Sequence, residues 1–152
     1  MKALRSCPLF AGMSEIEIDL TLGNISYQLV SLPSHEVYAL AGMPCKYVDI
    51  VVSGKLICRM AALSGKQVEV SRLHSGNMVA PAFIFSKDRS LPVSVETDGK
   101  VQLFRMRPEE LKRLIDLDET LRMNYIRILS NIDVFLTQKM KVLSLFTVRE
   151  IF

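Results

Sequence analysis

The sequence predicts a mainly β protein: a many-stranded antiparallel sandwich, jelly roll or barrel with flanking helices, followed by one long C-terminal helix. Three observations predict it. From Tyr27 to Met106, short runs of β-branched and apolar residues alternate with glycine, proline and serine turns. At Pro108 this texture gives way to helical periodicity. From Asp118 to Leu145 there is neither glycine nor proline, and apolar residues recur at steps of three and four.

Taken in chain order, the first element is a short helix over about Glu15 to Leu22. Ser14 and Glu17 form an S-x-x-E capping box, and Gly23 supplies a stop. The alternation of Ile16, Ile18, Leu20 and Leu22 would equally suit a strand, but the capping pair and the glycine favour helix. The predicted strands are YQLVSL from Tyr27, EVYAL from Glu36, YVDIVV from Tyr47, KLICRMAA from Lys55, QVEVSRL from Gln67, LPVSVET from Leu91 and KVQLFRM from Lys100. Turns are predicted at Pro33-Ser34, Gly42, Ser53-Gly54, Ser64-Gly65, Ser75-Gly76 and Asp98-Gly99. In the QVEVSRL run, Val68, Val70 and Leu73 read as a buried face against a wet face of Glu69, Ser71 and Arg72. Short strands at this spacing suit a sandwich, jelly roll or barrel.

Pro108 followed by Glu109 and Glu110 suits a helix N-terminus with its positive dipole end, and Leu111, Leu114 and Ile115 make its apolar stripe. The long helix after it would run for about 28 residues, roughly 40 Å at 1.5 Å per residue. Tyr125, Leu129, Ile132, Leu136, Met140 and Leu143 form its stripe, widened by Leu121, Ile128 and Phe135. A stripe of that width serves two partners. One side would cover the sheet, and the other would pair with the same helix of a second copy in a two-fold homodimer. The expected units are therefore a jelly-roll domain over 1–117 and a dimerisation helix over 118–146.

Composition narrows the function. A chain of 152 residues fits one ordinary domain, and 49% apolar residues with a mean hydropathy of +0.25 leave surface for a second subunit. No apolar run approaches the ~18 to 20 residues needed to cross a bilayer, and MKALRSCPLFAGMSE has no signal-peptide core. The expectation is a soluble protein with no membrane role. Cys7, Cys45 and Cys58 are odd in number and lack C-x-x-C spacing, which suits a reducing cytoplasm. A net charge of +3 without clustered Lys and Arg argues that this segment alone does not grip DNA. There is no P-loop, no G-x-S-x-G and no catalytic triad. Metal cupins share the jelly roll but converge two or three histidines and a carboxylate, whereas His35 and His74 stand on separate turns. Neither an enzyme nor a metal site is expected.

PLF at Pro8 to Phe10, VVSGKL at Val51 to Leu56, HSGN at His74 to Asn77, DRSLPVSVET from Asp88 and FRMRPEELKRLI from Phe104 occur in one order over nearly the whole chain. In that order they resemble the Crp/Fnr transcription regulators. The resemblance implies a double-stranded β-helix jelly roll of the cyclic-nucleotide-binding-domain type, acting as effector sensor, with a dimerisation helix behind it. SLFTVREIF from Ser144 resembles the junction at which the family's winged helix-turn-helix begins, making 147–152 the start of a hinge. DNA and RNA polymerase would be reached only through a domain beyond that hinge.

In cyclic-nucleotide-binding members of the family a Gly-Glu pair holds the ribose, and an Arg followed by Ser or Thr holds the cyclic phosphate. Aligned on Gly76 and Asn77, the Gly-Glu positions here are Ala80 and Pro81, within MVAPAFIF. Pro81 has neither an N–H to donate nor a carboxylate to accept a hydroxyl. Arg89-Ser90 matches the phosphate pair, and a guanidinium suits an anion. The expected ligand segment is thus Ala80, Pro81 and Ala82 with Arg89 and Ser90. Its effector is unidentified but is neither cyclic AMP nor cyclic GMP, and the cavity is more apolar or empty. The plainer reading makes Arg89 an exposed loop residue paired with Asp88. A haem sensor with His35, His74, Met78 or a cysteine as axial ligand is a further alternative. An iron-sulfur cluster would need about four closely placed cysteines. The functional alternative to a regulator is a stand-alone module that binds a small molecule or a protein and has no DNA role.

Overall fold

The structure is a computed structural model and describes residues 2–132. Two 3-10 turns, Lys2–Ser6 and Pro8–Phe10, precede α1 (Glu15–Leu22). Five strands follow: β1 (Gln28–Leu32), β2 (Val37–Ala39), β3 (Val48–Ala61), β4 (Gln67–Leu73) and β5 (Ser94–Met106). The 3-10 turn Pro81–Phe83 lies between β4 and β5. Helix α2 (Pro108–Leu117) and a helix over 119–132, here α3, complete the described chain. The strands form one antiparallel sheet in the order β1-β5-β3-β4, with β2 also on β5. This is the jelly roll expected, an antiparallel sheet with flanking helices. Among the described residues no helix is long and apolar enough to cross a membrane.

The strand count is corrected. YVDIVV and KLICRMAA are one strand, β3, and LPVSVET with KVQLFRM contributes one strand, β5. The predicted turns at Ser53-Gly54 and Asp98-Gly99 are bends inside these two strands. Gly54 and Gly99 both have positive φ, and the β3–β5 register slips between Val51 and Ser53 and again between Ser53 and Lys55. The ladder thus continues through the bend, curling one sheet instead of starting a new hairpin. A Cβ on Gly54 would lie 2.3 Å from the carbonyl oxygen of Lys100, so only glycine permits this approach.

A second correction concerns β4. Val68 and Val70 are 48% and 46% exposed, not buried. Among the described residues the strand is an edge paired only to β3, and a register slip beside Cys58 and Arg59 leaves Val70 without a ladder partner there.

The helices follow their local signals. Ser14 Oγ accepts from Glu17 N–H at 3.2 Å, closing the N-terminus of α1. On a helix the apolar alternation splits into two faces, so Ile18 and Leu22 are buried while Ile16 and Leu20 stay exposed. In α2, Leu111 and Leu114 are buried and Ile115 packs at the core edge. The chain breaks at Asp118, whose Oδ1 then accepts from Leu121 N–H at 3.1 Å and caps α3. Leu121, Asn124 and Tyr125 of α3 are buried in the chain's own core, with Ile128 and Leu129 packed against it. Met123 and Ile126 are exposed. The rest of the predicted long helix, with Leu136, Met140 and Leu143, and the hinge at 147–152 lie outside the described residues.

One polar group sits at the centre of the apolar interior. The carboxylate of Asp49, fully buried on β3, accepts from Arg105 Nε at 2.8 Å and Nη2 at 3.0 Å, and also from the Tyr38 hydroxyl. The guanidinium lies 4.3 Å from the centre of the Tyr47 ring. Burial and the Asp49 charge push the Tyr38 pKa far up, so the hydroxyl stays a donor. The main chain of β3 does further work here. Asp49 O accepts from Val79 N–H at 2.9 Å, Val51 N–H donates to Asn77 O at 2.9 Å, and Gly76 N–H donates to Val51 O at 2.8 Å. These bonds fasten the chain after β4 to the sheet.

Candidate functional site

The segment from Gly76 to Leu91 lies between β4 and β5 and contains Ala80, Pro81, Ala82, Arg89 and Ser90, the predicted effector residues. Its entry is tightly built. Asn77 Oδ1 accepts from His74 N–H at 2.8 Å, and a Cβ on Gly76 would lie 2.4 Å from Ser6 Oγ. The turn is thus wedged against the N-terminal 3-10 turn. Met78 and Val79 are buried, with Met78 bridged to Ile50.

Ala80 follows at φ 46° and ψ 54°, in the left-handed region. A residue with a side chain there costs about 1–2 kcal/mol, so the backbone keeps a conformation suited to glycine although alanine occupies it. Ala80 packs against the interior cluster that includes Leu56, Cys58, Val79 and Val95. The surroundings of this position are apolar. Pro81 opens a 3-10 turn, for which its fixed φ is suited, and Ala82 is exposed.

Pro81 is also the point at which α3 is attached. The Tyr125 hydroxyl donates to Pro81 O at 2.8 Å, and the Phe85 ring meets the Tyr125 ring edge-on at 6.0 Å. Burial raises the Tyr125 pKa to about 12, so this donor is protonated at neutral pH. One residue earlier, Asn124 Nδ2 donates to Leu9 O and Ala11 O, both at 2.9 Å. Helix α3 is therefore held on one side by the N-terminal turn and on the other by the segment predicted to meet a ligand. Tyr125→Phe keeps the ring and removes only the hydroxyl. It is expected to lower stability in urea by about 1 kcal/mol, the net worth of one such bond. An unchanged midpoint would show that the bond contributes nothing.

Arg89 and Ser90 lie on another rim of the segment. Arg89 O accepts from Cys45 N–H at 2.8 Å, and Ser90 is bridged to Pro44. Asp88 does not pair with Arg89. Its carboxylate accepts from Ser90 N–H at 3.0 Å, which holds its pKa below the usual range. The Arg89 side chain is exposed and has no ion pair among the described residues. Nor does any hydrogen bond join it to Ala80, Pro81 or Ala82 there.

The histidines are placed apart. His35 is exposed at φ 59°, and His74 is exposed in its turn while Met78 is buried. Among the described residues no group of three or more His, Cys, Asp or Glu is placed to hold a metal. The three cysteines are free and buried, and burial pushes the Cys7 thiol up to about 11.

Sequence reasoning missed the attachment of Tyr125 to Pro81 and the Asp49 network. Only the second left a signal. A lone aspartate inside the apolar run YVDIVV must be paired if buried, and pairing it needs a register that places Arg105 beside it.

The profile of the cyclic nucleotide-binding domain family matches residues 29–118, more than half of the chain. No curated protein sequence matches it. Among solved structures it is similar to a transcriptional regulator from Thermotoga maritima, at a TM-score of 0.74 and 20% identity over 83% of this chain and 96% of that one. The catabolite activator protein of Thermus thermophilus gives 0.78 and 20% over 90% of this chain, which spans 63% of that protein. The sensor domain of the transcriptional regulator DNR from Pseudomonas aeruginosa gives 0.71 and 20%, over 92% and 90% of the two chains. At these identities the likeness is one of fold.

Proposed function

Because the chain belongs to the cyclic nucleotide-binding domain family, we propose that it is the effector-sensing and dimerising part of a Crp/Fnr-type transcription regulator that answers to neither cyclic AMP nor cyclic GMP. The observation that carries this reading is the bond from Tyr125 to Pro81, which attaches α3 to the segment where a ligand would sit. A ligand that favours one arrangement of the segment would bias the position of α3 with it, a shift between two populated states. In a cytoplasmic homodimer paired through this helix, that shift would reach DNA-binding domains carried beyond it, and through them DNA and RNA polymerase. Tyr125 is spent within its own chain and Leu129 packs in part on the same core, so the apolar surface left for a second copy among the described residues is that of Ile132, the exposed Ile126 and the uncovered part of Leu129. The described part of the helix supports a partner face without containing all of it.

The ligand preference follows from Ala80 and Pro81. Losing a charged partner for a ligand hydroxyl costs on the order of 1.5 to 3 kcal/mol, about ten- to 150-fold in affinity. Titration calorimetry is expected to show weak or no binding of either cyclic nucleotide. A dissociation constant in the low micromolar range for either would overturn the reading. For any anionic effector that does bind, Arg89→Ala should weaken binding more than Arg72→Ala. Arg72 is already engaged by Glu69 and Asp98 on the solvent side of β4. Equal losses would mean that general surface charge is responsible.

A further inference from the structure

A cavity of about 200 Å³ lies beside the predicted effector segment, between β2, the chain at 43–47, Arg105 of β5 and the segment's Val79 and Leu91. Ala80, Pro81, Ala82, Arg89 and Ser90 are not among its walls. We propose that this cavity binds a small organic acid, one carboxylate on a compact apolar body about the size of benzoate. The proposal goes beyond the effector reading above and does not depend on it.

Size, lining and charge each point to this class. An apolar cavity of about 150 Å³ takes up benzene, so the larger space here admits a ring plus one small polar group. A cyclic nucleotide, with its base, sugar and phosphate, does not fit. Ala39, Met43, Pro44, Val79 and Leu91 give the cavity an apolar side, of which Ala39, Val79 and Leu91 are buried, while Tyr38, Lys46, Tyr47 and Arg105 bring polar groups to the other. The charge at the border is positive. Lys46 has no ion-pair partner among the described residues, and Arg105 binds Asp49 through Nε and Nη2, leaving Nη1 without a bond there. The Asp49 charge is answered by Arg105, and the Tyr38 hydroxyl already donates to Asp49. The border charge left unpaired among the described residues is thus the Lys46 cation, which favours an anion in the space beside it. A guanidinium at the edge of an apolar space is suited to a carboxylate.

The test is a titration of the chain with benzoate, followed by amide NMR shifts and calorimetry. The expected result is saturable binding, with shifts centred on Ala39, Met43, Val79 and Leu91. Benzamide, which has the same shape without the charge, should bind about ten-fold more weakly, and so should benzoate to Lys46→Met. Lys46 is exposed, so that variant is expected to fold. Ala39→Leu should fill the space and abolish binding, with the spectrum otherwise retained. The proposal is overturned if benzoate does not saturate by about 10 mM, or if benzamide or Lys46→Met matches the parent affinity. Shifts confined to Ala80–Ala82 and Arg89–Ser90 would also overturn it while leaving the effector segment standing. A response to some other effector at that segment, with no benzoate binding, would reject the cavity alone.

Discussion

Asp49→Ala is expected to lower the unfolding free energy by about 3–5 kcal/mol, the cost of breaking a buried ion pair from one side. Asp49 is fully buried, and its carboxylate receives both Arg105 nitrogens and the Tyr38 hydroxyl. Truncation leaves a guanidinium and a hydroxyl facing apolar surroundings without an acceptor. The Arg105 side chain keeps 21% of its surface in water, which places the effect toward the lower end of that range. Removing both charges should cost much less. Asp49→Leu combined with Arg105→Met replaces a desolvated pair by apolar groups, an exchange often close to neutral. Urea unfolding of the single and double variants measures the difference. A loss below about 1 kcal/mol for the single variant would mean that water reaches Arg105 and that the network is not a buried anchor. The anchor matters to the site because Asp49 O also holds Val79, the residue before Ala80.

Ile132→Glu is expected to shift the proposed homodimer strongly to monomer. The substitution would place a carboxylate from each subunit in an apolar seam with no partner, and each unpaired buried charge costs several kcal/mol. Within one chain Ile132 is only half-buried at the end of the described helix, so the single subunit is expected to keep its fold. Sedimentation at about 10 µM, with circular dichroism as a check on folding, reads the result. A parent chain that is monomeric at that concentration, or a variant that remains dimeric, would reject the helix seam.

Much of this architecture was legible in the residues because its signals are local. Ser14 with Glu17 and Pro108 with two following glutamates specify helix starts through groups within a few residues of each other, and α1 and α2 begin there. The missing carboxylate at Pro81 was equally plain, since proline has neither that group nor an N–H in any conformation, where the resemblance implies a glutamate. What only the tertiary structure decided depends on pairing across the chain. Gly54 and Gly99 read as turns because a glycine at positive φ serves a turn and a bend alike, and the β3–β5 ladder decides which. Val68 and Val70 alternate as a buried strand does, yet β4 lies at a sheet edge and both stay about half exposed among the described residues. Tyr125 belongs to an apolar stripe wide enough for two partners. A helical period shows that a face is apolar but not which neighbour covers it, and the bond to Pro81, 44 residues away, was settled only when the sheet had brought the two together.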